Sequence, residues 1–246
     1  MDRAQAFIRT GFVQLRSPWM ERRWSTLLGA TTELTLAGNL QGDCLTRKSP
    51  EYHLDFGHQP YAVHDLGETT WSEMSDHHGC TLTMTQSAST VALRLDNFMA
   101  HRSPGMVRQL EILNRSETTV RLSRVAVEIL PLDPEQFATP SEGDAKNEAT
   151  ESLFRQNDRS YCALDSQAGT LILESSGSTE FALFTPNANY CAVVWKGTID
   201  LAPRAVWKSP RSTLFWARGN QLEHIESNLD HLLADWNGHN QDHQSE

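Results

Sequence analysis

No stretch of eighteen apolar residues occurs anywhere in the 246-residue sequence, so no segment reads as a membrane-spanning helix. Positive charge is scarce. Lys and Arg total 21 against 31 Asp and Glu, a net charge of -10. Such a surface repels phosphate backbones and anionic bilayers, which argues against nucleic acid and membrane partners. Cysteine is sparse, with four residues at positions 44, 80, 162 and 191 and no CxxC pair. A structural zinc site therefore has little support, and buried free thiols in a reduced compartment are expected rather than a disulfide framework. The amino-terminal "MDRAQAFIRTGFVQLR" shows no apolar h-region, so the expected location is the cytoplasm. Also missing are GxGxxG, GxxxxGK[ST], GxSxG, HxH and HExxH, internal repeats and low-complexity tracts. Phosphate loops, a nucleophile elbow and a zinc-protease helix are thereby set aside, and no cofactor is implied.

What is present is short-period alternation. "TELTLAG" puts Leu34 and Leu36 on one face, and "STVALRLDNF" does the same for Val91, Leu93 and Leu95. Period two marks half-buried strands. The run "MVRQLEILNRSETTVRLSRVAVEIL" reads as a long hairpin, Met106–Leu113 and Thr119–Leu130, turning at 114–117. Its second arm changes apolar phase near Arg124, as a bulge or a strand covered on both faces would require. "SYCALD" and "TLILES" flank "SQAG", "EFALFT" and "YCAVVW" flank "PNAN", and "STLFWARG" is the last strand. Turn signals about every ten residues mark a sandwich. The fold class is mainly β, a large antiparallel β-sandwich with a C-terminal α-helix.

The domain is expected to cover 1–238, with its helix at 220–237 and a disordered tail at 239–246. Asn220 and Glu223 form a capping box. Leu222, Ile225, Leu229, Leu232, Leu233 and Trp236 make one stripe that packs on the domain's own sheet, and Gly238 is the stop. Residues 133–158 are polar and acidic, a surface excursion with a short helix near 145–154.

Sugars are recognised by aromatic faces over C–H patches and by planar charged groups on hydroxyls. "WMERRW", residues 19–24, concentrates both kinds of group. On a strand Glu21 and Arg23 share one face while Arg22 and Trp24 take the other. The competing reading is a sheet edge with salt bridges and one buried Trp. "HLDFGHQPYAVHDLGETTWSEMSDHHG", residues 53–79, is the second polar and aromatic cluster, with His64, Asp65 and Trp71 as its best ligand contacts. Metal is not expected there, because adjacent His77 and His78 would point to opposite sides of a strand. The ligand-binding candidates are thus Glu21, Arg23, Trp24, His64, Asp65 and Trp71. Trp207, Phe215 and Trp216 belong to the core.

Three segments in order carry a family likeness: "WMERRW", "VRQLEILNRSETTVRLSRV" and "IDLAPRAVWKSPRSTLFWARGN" before a C-terminal helix. Together they resemble the N-terminal β-supersandwich domain of family 36 glycoside hydrolases, the α-galactosidase type, over most of residues 7–237. The hairpin's first arm ends in the family's N-x-[ST/G], and the late segment resembles L-x-P-G-x…[ST]-P, with Arg204 and Ala205 where a glycine is usual. The resemblance implies the sandwich shared with galactose mutarotases. The family's catalytic acids lie on a following (β/α)8 barrel, which these 246 residues do not contain, so no catalytic residue carries over. The expected function is a stand-alone carbohydrate-recognition or accessory domain with a mono- or oligosaccharide ligand, and a second copy or a partner hydrolase as the possible assembly. Two alternatives stand beside it. One is a mutarotase- or epimerase-like enzyme, for which His64 or His101 with Glu21 would supply the acid–base pair. The other is a structural or interaction module.

Overall fold

A computed structural model describes residues 3–39, 42–56, 59–62, 67–137, 153–156, 159–176, 180–183, 191–218 and 224–242, with 59–62, 153–156, 159–161, 180–183 and 196 described as backbone. A four-stranded antiparallel meander comes first: β1 (Gln5–Arg9), β2 (Phe12–Arg16), β3 (Met20–Ser25) and β4 (Thr31–Leu36). A five-stranded sheet takes β5 (His53–Phe56), β6 (Gln59–Ala62), β11 (Val120–Leu130), β15 (Glu180–Leu183) and β16 (Cys191–Leu201), in the order β15-β16-β11-β5-β6. The largest sheet has nine strands: β7 (Thr69–Ser75), β8 (Gly79–Ser87), β9 (Val91–Ala100), β10 (Gly105–Asn114), β12 (Leu153–Gln156), β13 (Arg159–Ser166), β14 (Gly169–Ser176), β17 (Val206–Lys208) and β18 (Ser212–Ala217). Its order is β12-β13-β14-β18-β10-β9-β8-β7, with β17 paired to β10.

Alternation explains the core. Inward residues from all three sheets, among them Leu15, Trp24, Leu34, Leu54, Leu82, Leu95, Leu110, Val125 and Trp216, join one buried cluster. The opposite face of the large sheet is apolar too, and the C-terminal helix α1 (Ile225–Asp242) covers it. Leu229, Leu232, Leu233 and Trp236 pack on Phe98, Val107, Ile172 and Phe215. Strand β18 is buried at every position because one face meets the core and the other meets the helix. Gly105 sits under this contact: a Cβ there would lie 2.5 Å from the Leu232 side chain.

Several expectations change. The run 106–130 is not a hairpin. Strand β10 pairs with β9, β17 and β18, whereas β11 pairs with β5 and β16, so the chain arches from one sheet to another. The phase change at Arg124 is a bulge, with the β11 register shifting between Leu122 and Arg124 and again between Ala126 and Glu128. The helix does not stop at Gly238 but runs to Asp242, so positions 239–242 of the expected tail are ordered helix. Buried His239 overrides the glycine: its Nδ1 lies 2.8 Å from Asp76 Oδ2 and its Nε2 2.8 Å from Thr81 Oγ1, which pins the last turn to the β7–β8 turn. The helix expected near 145–154 gives way at its end to strand β12, and its remaining residues lie outside those described. So do the capping box at 220–223 and residues 243–246.

The family-like motifs have local physical roles. Asn114 donates through Nδ2 to the carbonyls of Thr118 and Leu201, both at 2.8 Å, and its Oδ1 accepts from the Ser116 amide and hydroxyl. It thus ties the end of β10 to the start of β11 and the end of β16. Arg204, where a glycine is usual, keeps the left-handed backbone at φ 63°.

Candidate functional site

Salt bridges engage the charged groups of the sequence-chosen patch, while Arg23 Nε and the indole nitrogens of Trp24 and Trp71 are buried without a hydrogen-bond partner among the described residues. On the outer face of β3, Glu21 lies 3.1 Å from Arg23 and 3.5 Å from Arg16, and Arg23 is also 2.8 Å from Glu33. The Arg23 guanidinium lies 5.1 Å above the Phe12 ring. Alternation places Trp24 on the inner face, where it is fully buried and packs on Trp71 with ring centroids 5.8 Å apart. Trp24 is therefore closed to a ligand, while Trp71 is half-buried against the same core. His64 and Asp65 lie outside the described residues. His101 is buried, with Nε2 2.9 Å from the Asp76 carbonyl, and is not paired with Glu21.

Arg22, which the sequence reading passed over, anchors the interior. Its guanidinium donates in a bidentate fork to Glu128 at 2.9 and 3.0 Å and through Nε to Thr31 at 2.8 Å. Arg108 donates to the same Glu128 at 2.5 Å, to Asn97 at 2.9 Å and to Glu51. Glu51 also accepts the Thr31 amide at 2.8 Å. All four charged side chains have no exposed surface. Burial opposes the charge on Glu128, but Arg108 and Arg22 outweigh it and hold its pKa below the ordinary glutamate value. Burial likewise opposes Arg22, and Glu128 and Glu51 outweigh it and raise its pKa. Two cations and two anions balance, so the quartet joins β3, β10, β11 and the segment before β5 without a net buried charge. The clue was in the sequence: Arg22 shares a strand face with Trp24, so an acid had to meet it inside.

Strand β11 also builds the opposite surface. Glu128 points inward, whereas Arg124, Ala126 and Ile129 line a cavity of about 480 Å³ on the outer side of the five-stranded sheet. Ala192 and Val194 of β16 complete its apolar floor, Pro50 and Pro131 its walls, and Arg47, Lys48 and His53 its polar rim. Asp55 Oδ1 lies 2.9 Å from His53 Nε2 and fixes that ring. Arg124 Nε is buried with no hydrogen-bond partner among the described residues. Of the sequence-chosen residues that are described, none lines this cavity.

Other reactive groups are quiet or structural. All four thiols are free and buried. Burial pushes Cys44 up to about 11, and Cys191 is raised first by its contact with Cys162, 4.0 Å away, and then by burial. Neither is an activated nucleophile. Among the described residues one group could hold a cation: ligand atoms of His77, His78 and Asp242 lie within 4.8 Å of one another. The two histidines occupy the tight β7–β8 turn rather than a strand, so their ring centroids lie 3.9 Å apart, tilted at 38°, instead of diverging. Among the described residues no helix is long and apolar enough to cross a membrane.

The architecture is similar in fold to the galactose mutarotase-like sandwich. A galactose mutarotase-like protein from Clostridium acetobutylicum superposes with a TM-score of 0.55 at 10% identity, covering 89% of this chain and 99% of that one. The GH36 alpha-galactosidase AgaB from Geobacillus stearothermophilus gives 0.54 at 11% identity, over 87% of this chain and 41% of its own. A polysaccharide lyase gives 0.53 at 14% identity, over 82% and 33%. The chain thus spans well under half the length of these two enzymes. The likeness is one of fold. No family model matches the sequence, and no curated protein does.

Proposed function

We propose that the chain is a carbohydrate-recognition or accessory domain that seats a mono- or oligosaccharide in the cavity beside Arg124. The single observation that carries this is the cavity itself: an apolar floor of sugar-ring size with a few fixed polar groups around it. Structures of the same fold that are named for galactose mutarotase, alpha-galactosidase and polysaccharide lyase support the ligand class. The length of the galactosidase beyond the aligned part supports a partner hydrolase as the assembly. Four free buried thiols support a reduced, cytoplasmic setting. Titration calorimetry against a panel of neutral and acidic mono- and oligosaccharides tests the reading. Binding that is lost in Ala192→Trp, which fills the floor, is expected. A panel with no binder overturns the assignment.

The His53–Asp55 pair at the rim favours a second reading, a mutarotase- or epimerase-like enzyme with an oriented imidazole base. Acid–base work across a ring needs a second group facing the first, and the described lining contains no carboxylate. Recognition is therefore the better-supported reading.

A further inference from the structure

Building on that reading, we propose that the saccharide bound here carries a negative charge, as carboxylate, sulfate or phosphate. Arg47, Lys48 and Arg124 line one cavity, and among the described residues none of the three makes an ion pair or a side-chain hydrogen bond. In a chain with a charge of -10 the three make a local positive patch. Elsewhere Arg22, Arg23, Arg94, Arg108 and Arg121 all reach carboxylates.

The local layout keeps these cations unpaired. Asp55 stands opposite Arg124 in the β5–β11 register, yet its carboxylate is engaged by His53. The Arg124 Nε is buried and unsatisfied, and an unmade hydrogen bond of this kind is costly. A ligand oxyanion would satisfy it. The guanidinium's planar fork matches carboxylate, sulfate or phosphate oxygens two at a time, with Arg47 and Lys48 adding charge from the loop above. The floor of Ala126, Ile129, Ala192 and Val194 would take the ring's C–H face.

The test is calorimetry on the full chain at low ionic strength with matched probes: galactose against galacturonate and galactose 6-sulfate, and glucose against glucose 6-phosphate. At least one acidic sugar should bind about tenfold or more tighter than its neutral parent, the equivalent of one charge-assisted hydrogen bond. The member of the set that does so distinguishes the three anions. Added salt should reduce that preference. Arg124→Gln should remove most of it while keeping the wild-type melting temperature. Lys48→Gln, at an exposed position where folding is not at stake, should reduce it by a smaller factor. Neutral and acidic sugars binding alike would overturn the charge inference and leave the saccharide reading intact. Free sulfate or phosphate binding as tightly as the sugar derivatives would overturn the inference as well, since the ring would then contribute nothing. No binding by any probe would overturn both.

Discussion

Two arginine sites lie on opposite sides of strand β11, and they are built by opposite rules. Inside, Arg22 and Arg108 are stripped of water but fully paired with Glu51 and Glu128. Outside, Arg124 borders a cavity and its Nε has no hydrogen-bond partner among the described residues. The bulges at Leu122/Arg124 and Ala126/Glu128 make this possible, since they change which residues of one strand face in and which face out. The same side chain is thus a structural tie where its charge is matched and a candidate recognition group where it is not.

The largest effect should come from breaking the inner site. Arg108→Met leaves Glu51 and Glu128 sharing one cation, and a cost of about 3–5 kcal/mol is expected in urea denaturation. A loss under about 1 kcal/mol would mean that the quartet is not the tie described here. Acid should expose the same site next. The folded-state pKa of Glu128 lies below the ordinary glutamate value of 4.5. Its contribution is therefore fully present above that value and is lost as pH falls through it towards the lower folded value. Unfolding midpoints measured between about pH 7 and about pH 3 should drop in this range. Glu128→Gln should flatten the drop, and an unchanged slope would assign it to other carboxylates. The smallest effect belongs to the outer face of β3. Glu21→Ala should cost about 0–1 kcal/mol, because its partners are partly solvated, and should leave sugar binding unchanged. Any loss of binding on that substitution would move the site from the cavity to the first sheet.

The architecture was largely legible in the sequence because alternation reports burial directly. Leu34, Leu36, Val91, Leu93 and Leu95 are all buried as their spacing requires, and the helix stripe lies on the large sheet. Strand partnership was not legible. Apolar phase says which face is buried but not which strand lies alongside, so two long adjacent strands passed for a hairpin when each pairs elsewhere. The site was legible only in its negative part. Salt bridges at Glu21 and Arg23 and a buried Trp24 follow from alternation. The cavity does not, because its lining comes from residues 47–53, 124–131 and 192–194, which form no local motif and meet only through the pairing of β11 with β5 and β16.

The fork between Arg22 and Glu128 spans 106 positions of the chain. During synthesis Glu51, 29 positions on, can meet this guanidinium first, but the bidentate partner Glu128 has not yet emerged, so the charge is only partly matched until β11 arrives. The first sheet therefore has no reason to lock early, and the molecule should gain its final interior late, in a step that draws all three sheets together.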